Sequence, residues 1–237
     1  MNFNTLAWAA FCFYYRSVGD MKYGKLMQDD NFLDILRNKP KELTPVEFEE
    51  RVLLGYIQVQ NYDLLIGHKL AEGILKELVV LQPDVAALSN KTLINCDLSD
   101  HELREKINRI YSTLCAINGI WLTGASKIAH LLNDHLFVML NLNISNHFEL
   151  LEGNTSLTNW LGITQQHALE VTIDFQDSGY DSSPERFLSE KLGYKEQGYQ
   201  KSLVKFLDEY YWLKFGDNLM VPPKWVPELV PEVELVS

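Results

Sequence analysis

Basic charge is what this chain most lacks. It holds 21 Lys and Arg against 32 Asp and Glu, a formal net charge of −11 over 237 residues. Proteins that clamp duplex nucleic acid non-specifically replace phosphate counterions with Lys and Arg, so this balance argues against tight duplex binding. A small local site remains compatible with it, because net charge describes the whole field and not one face. The acidity is uneven. Residues 151–237 carry seven basic and fourteen acidic side chains, while residues 1–40 are nearly balanced at five and four.

Cysteine is scarce as well. Cys12, Cys96 and Cys115 are far apart and odd in number, which rules out zinc-ligand spacing and makes a poor disulfide framework. Free thiols fit a reducing compartment, and the expected location is cytoplasmic. No apolar run approaches the roughly 20 residues that span a bilayer, so no membrane partner is expected. Leu6 to Tyr15 is the nearest candidate, but Trp8, Phe11, Cys12 and Tyr15 fall at i, i+3, i+4 and i+7, the spacing of one helix face.

Catalytic fingerprints are missing too. There is no phosphate-cradling glycine loop, no glycine-bracketed nucleophile elbow and no His-Glu-x-x-His helix. His130 and His135 stand five apart with His147 further on, and i, i+5 positions diverge on a helix. No metal site and no cofactor follows from them. Strand signals are confined to Leu136–Leu140, which a buried helical turn explains equally well.

What is present is helix, almost without interruption. Thr44-Pro45-Val46-Glu47 supplies an N-cap, a proline at the first helical position and a glutamate at the third. Phe48, Val52 and Tyr56 follow at steps of four. After a break near Asn61, the stripe Ile66, Leu70, Ile74, Leu78, Leu81 predicts a second helix stopped by Pro83. Residues 83–98 read as a loop. Ser99-Asp100-His101-Glu102 reads as another capping box, ahead of a stripe at Leu103, Ile107, Ile110, Leu114 and Ile117. Gly119 ends that helix and Thr123 caps the next, which holds Ala125, Ile128, Ala129 and Leu132. Later helices are predicted from Thr164, from Ser183-Pro184 and near Gly198, the last carrying Leu203, Phe206, Leu207, Tyr210 and Leu213 on one side. The expected architecture is a single all-α domain over residues 1–221. Residues 222–237 form a proline-rich tail, an extended strap anchored by Trp225 or a disordered segment.

The informative stretch runs from Leu114 to Ile144. An amphipathic helix, a tight glycine turn and a second helix opening on small residues can present backbone N–H groups to a phosphate without any side-chain charge. The plainer reading is an αα-hairpin that only packs.

This stretch resembles the helix-hairpin-helix DNA glycosylase superfamily, with the hairpin at about residues 100–132. Members carry Leu-Pro-Gly-Val-Gly-x-x-Thr-Ala, then an apolar run and an aspartate about twenty residues on. Ile117-Asn118-Gly119-Ile120-Trp121-Leu122-Thr123-Gly124-Ala125 occupies the hairpin here, and Phe137-Val138-Met139-Leu140-Asn141 the later segment. The resemblance implies an all-helical, two-lobed fold, DNA as partner through a weak local site, and backbone contact at Gly119, Trp121, Thr123 and Gly124. It also implies lost or altered base-excision chemistry. Trp121 replaces the second hairpin glycine, Thr123 stands where bifunctional members hold a lysine, and Asn141 stands where the essential aspartate belongs. A neutral amide serves neither as base nor as counter-charge.

Lys127 lies four residues after Thr123 on the same face, about 6 Å further along. With Asn141 it is the candidate catalytic residue, an amine able to form a Schiff base if its pKa is lowered. The alternative is an ordinary surface lysine. A second functional reading is a non-enzymatic helical module that binds a protein partner through its acidic surface or its tail.

Overall fold

Capping residues set where the helices begin. In the computed structural model, which describes residues 1–16, 19–57, 64–150, 156–194 and 198–216, Thr44 Oγ1 accepts from the Glu47 N–H at 3.2 Å with Pro45 at the first helical position. Ser183 caps in the same way over Pro184, accepting from Arg186. The helices are α1 (Phe3–Arg16), α2 (Gly19–Met27), α3 (Asp30–Asn38), α4 (Pro45–Phe48), α5 (Leu64–Leu88), α6 (His101–Cys115), α7 (Leu122–Leu132), α8 (Leu142–His147), α9 (Ser156–Asp177), α10 (Pro184–Lys191) and α11 (Leu203–Tyr211). A 3₁₀ turn covers Pro40–Glu42, and π-helical turns follow α4 (Glu49–Ile57) and α11 (Trp212–Gly216). The protein is all-helical, with no strand among the described residues. None of these helices is long and apolar enough to cross a membrane.

One core runs from Phe3 to Leu213. Helix α1 packs on α9, α10 and α11, α5 packs on α4 and α6, and α6 packs on α7 and α9. The stripe of α6 is buried as its spacing predicts, through Leu103, Ile107, Ile110 and Leu114. So is the stripe of α11, from Leu203 through Leu207, Tyr210 and on to Leu213. Phe48, Val52 and Tyr56 are also buried, the latter two on the π turn. That wider turn brings the Glu50 carbonyl close to Gly55, where a Cβ would stand 3.0 Å from the oxygen.

Several expected boundaries move. Pro83 does not stop α5, which continues to Leu88 because Val85 and Leu88 extend the buried stripe beyond it; burial on both sides outweighs the hydrogen bond that proline removes. Thr164 does not open a helix. It lies within α9, where its hydroxyl stands 3.0 Å from the carbonyls of Trp160 and Leu161. The cap of α6 is Asp100, not Ser99, and accepts from Glu102 and Leu103. The cap of α11 is Ser202, beyond the expected start near Gly198. In α1 the buried residues are Phe3, Leu6, Ala7, Ala9, Ala10 and Phe13, while Trp8, Phe11 and Cys12 are half-buried. The expected break near Asn61 and the proline-rich tail with Trp225 lie outside the described residues.

Candidate functional site

Helices α6 and α7 form the hairpin at the centre of the sequence argument. The chain leaves α6 through Ala116, closes a turn with the Ile120 N–H donating to the Ile117 carbonyl at 2.9 Å, and passes through Gly119 at φ 94°. A residue with a Cβ is strained in that left-handed region, so glycine is required there. Trp121, not Thr123, holds the N-cap position of α7. Its side chain makes no capping bond, and its indole is 82% exposed. The N–H groups of a first helical turn have no partner within the helix, and here no side chain supplies one. Thr123 is half-buried one position into α7, and Gly124 is buried with its Cβ position 3.5 Å from the Ile120 side chain.

The later apolar run is docked against this end of α7. Ser126 is buried; its Oγ accepts the Leu140 N–H at 3.0 Å and lies 3.0 Å from the carbonyls of Thr123 and Leu140, either of which can take its proton. Residues 136–140 are thus neither strand nor helix, but a buried non-helical segment. Asn141 then caps α8, its Oδ1 accepting the Ile144 N–H at 2.9 Å. Leu142, the first residue of α8, is 61% exposed.

Lys127 leaves α7 toward the interior. Its Nζ lies 5.5 Å from the centroid of the Tyr56 ring, and the Tyr56 hydroxyl is directed to Met139 Sδ at 2.8 Å. Burial lowers the Lys127 pKa from the ordinary lysine value; Asp208 opposes this and Lys205 adds to it. The surface-lysine alternative does not fit this placement. The side chains of Lys127 and Asn141 therefore serve different partners, the first Tyr56 and the second its own helix.

Beyond Lys127 lies a group of buried charges on α11 that the sequence reading missed. Lys201 and Glu209 are both 0% exposed and paired at 2.7 Å, and Lys201 also donates to the Tyr194 hydroxyl at 2.7 Å. Lys205 pairs with Asp208 at 2.9 Å and reaches Glu209 at 3.5 Å, while lying 5.1 Å from the ring centroids of both Phe13 and Tyr23. The only sequence signal for this group is a four-residue step, 201, 205, 209, of the kind that normally marks a solvated face.

His130 is fully buried. Its Nδ1 faces the Phe137 carbonyl at 2.7 Å and its Nε2 the Tyr23 hydroxyl at 2.7 Å. A carbonyl only accepts, so Nδ1 carries the proton and Nε2 accepts from Tyr23. Burial lowers the His130 pKa and, with help from Tyr199, Asp134 and Tyr56, raises that of Tyr23. Asp134 pairs with Arg37 at 3.0 Å, and its backbone carbonyl accepts from Ser202. His135 is exposed, and His147 rests on the Phe215 ring with centroids 4.1 Å apart. Among the described residues, no three His, Cys, Asp or Glu side chains converge on a metal position. Compared with protein-family models, curated proteins and solved structures, the chain matches none.

Proposed function

We propose that this chain is a nucleic-acid-related protein of the helix-hairpin-helix glycosylase type, two-lobed like that family, in which lysine-and-aspartate base excision is lost. The observation that carries the reading is the opening of α7. It follows directly from the Gly119 turn with no side-chain cap and an indole exposed beside it. Helix N-termini of this kind hold phosphate oxygens through backbone N–H groups alone, and an exposed indole stacks on any base. Thr123 offers no amine at the position of the family lysine. Asn141 offers no charge at that of the aspartate, and its amide oxygen is occupied in capping α8.

Fluorescence anisotropy of labelled single-stranded and duplex oligonucleotides tests this. Weak binding is expected, falling steeply between about 50 and 200 mM salt and reduced in Trp121→Ala. Absence of salt-dependent binding at the low end of that range sinks the proposal. The reading left standing would then be a protein-interaction module. One observation favours it: Leu169 and Ile173 are exposed one turn apart on α9.

A further inference from the structure

Three lysine amines and two carboxylates meet between α7 and α11, and the pairing leaves one amine over. Lys201 takes Glu209, and Lys205 takes Asp208 and reaches Glu209. Among the described residues no carboxylate stands within ion-pair distance of Lys127, whose Nζ faces the Tyr56 ring instead. The nearest acidic influence is Asp208, but Lys205 holds its Oδ2 at 2.9 Å. From the same helix the Lys205 ammonium repels a proton on Lys127. The Tyr56 hydroxyl is spent on Met139, so the phenol presents its ring and not a hydrogen bond. An ammonium withdrawn from water beside a second cation sheds its proton readily, and the free amine is a nucleophile.

We propose that Lys127 is a carbonyl-reactive amine that binds a small aldehyde or keto compound covalently beside Tyr56. The Nζ lone pair forms a bond to the carbonyl carbon while the C=O π pair moves to oxygen. A proton passes from nitrogen to that oxygen, giving a carbinolamine. Loss of one water then leaves a C=N imine, so the condensation needs neither oxidant nor reductant. The protonated imine retains the positive charge that the Tyr56 ring faces. This inference does not rest on the nucleic-acid reading, and a small carbonyl probe reports on it alone.

The test is reductive labelling of the full chain with glycolaldehyde and cyanoborohydride at neutral pH, followed by peptide mass mapping of each lysine. Alkylation of Lys127 is expected to run about tenfold faster than that of exposed Lys22, Lys41 and Lys69, and its rate should level off at lower pH than theirs, whose free-base fraction rises up to about pH 10.4. Asp208→Asn removes the carboxylate that favours the protonated form and should speed Lys127 labelling about twofold or more. Labelling of Lys127 no faster than that of the exposed lysines overturns the proposal. So does a slower rate in Asp208→Asn when its circular dichroism matches the parent.

Discussion

Around α11 the protein withdraws ammonium and carboxylate groups from water, whereas at the tip of the α6–α7 hairpin it holds an indole out in it. Both arrangements run against the usual distribution of polarity, and they differ in what surrounds them. Each interior charge near α11 has a partner: Lys201 has Glu209 and Tyr194, and Lys205 has Asp208. The Trp121 side chain at the tip has no capping bond and almost no cover. Charge inside a fold is tolerated only when it is satisfied, so the α11 group belongs to the stability of the fold. An exposed indole contributes little to folding, so the tip is where a role outside folding is to be sought.

Breaking the interior pair should have the largest effect. Glu209→Ala leaves Lys201 buried without its carboxylate and should cost about 3–5 kcal/mol in urea unfolding. The double variant Lys201→Met, Glu209→Leu removes both charges and should recover most of that loss. A double variant as unstable as the single one would show that packing, and not charge, dominates around α11.

The next effect comes from His130. Tyr23→Phe deprives the buried Nε2 of its donor, at about 1–3 kcal/mol. Stability should also depend on pH here. The folded pKa of His130 is depressed by burial, so the unfolded chain binds a proton that the folded chain resists. This contribution is complete above the ordinary histidine value of about 6.5 and is lost as pH falls below it. His167, also depressed by burial, adds to the same slope. Chemical denaturation at stepped pH should show the decline, and it should be shallower in His130→Gln.

The smallest effects are expected at the tip. Asn141→Ala removes the α8 cap and should cost about 1 kcal/mol, while Asn141→Asp retains an acceptor and should be close to neutral. Trp121→Ala should change stability by no more than about 0.5 kcal/mol while lowering oligonucleotide affinity. A large loss of stability there would erase the contrast between the two regions.

The helices whose polarity follows a simple period were legible from sequence. The stripes of α6 and α11 and the caps at Thr44 and Ser183 fall where spacing and side-chain chemistry place them. Errors arose where one residue type serves two ends. Thr164 looks like a cap, yet its hydroxyl folds back on its own helix. Pro83 looks like a stop, yet burial carries α5 through it. In α1 the large side chains define a regular face, but the fully buried positions include Ala7, Ala9 and Ala10, because close approach of helices selects small residues. At the candidate site, the Gly119 turn was legible from its chemistry. Lys201, Lys205 and Glu209 were not, since their period is that of an exposed face and only tertiary pairing distinguishes the two.

The place of α1 has a consequence in time. Its apolar side rests on α9, α10 and α11, with the Phe3 ring 4.6 Å from that of Phe175 and 5.7 Å from that of Phe187. Roughly 190 residues separate the end of α1 from the start of α11. At ribosomal rates the nascent helix therefore waits about 10–40 s for its last docking surface. During that interval Phe3, Leu6 and Phe13 are available to other chains. Expression yield should therefore respond more to translation speed and chaperone supply than equilibrium stability alone would indicate.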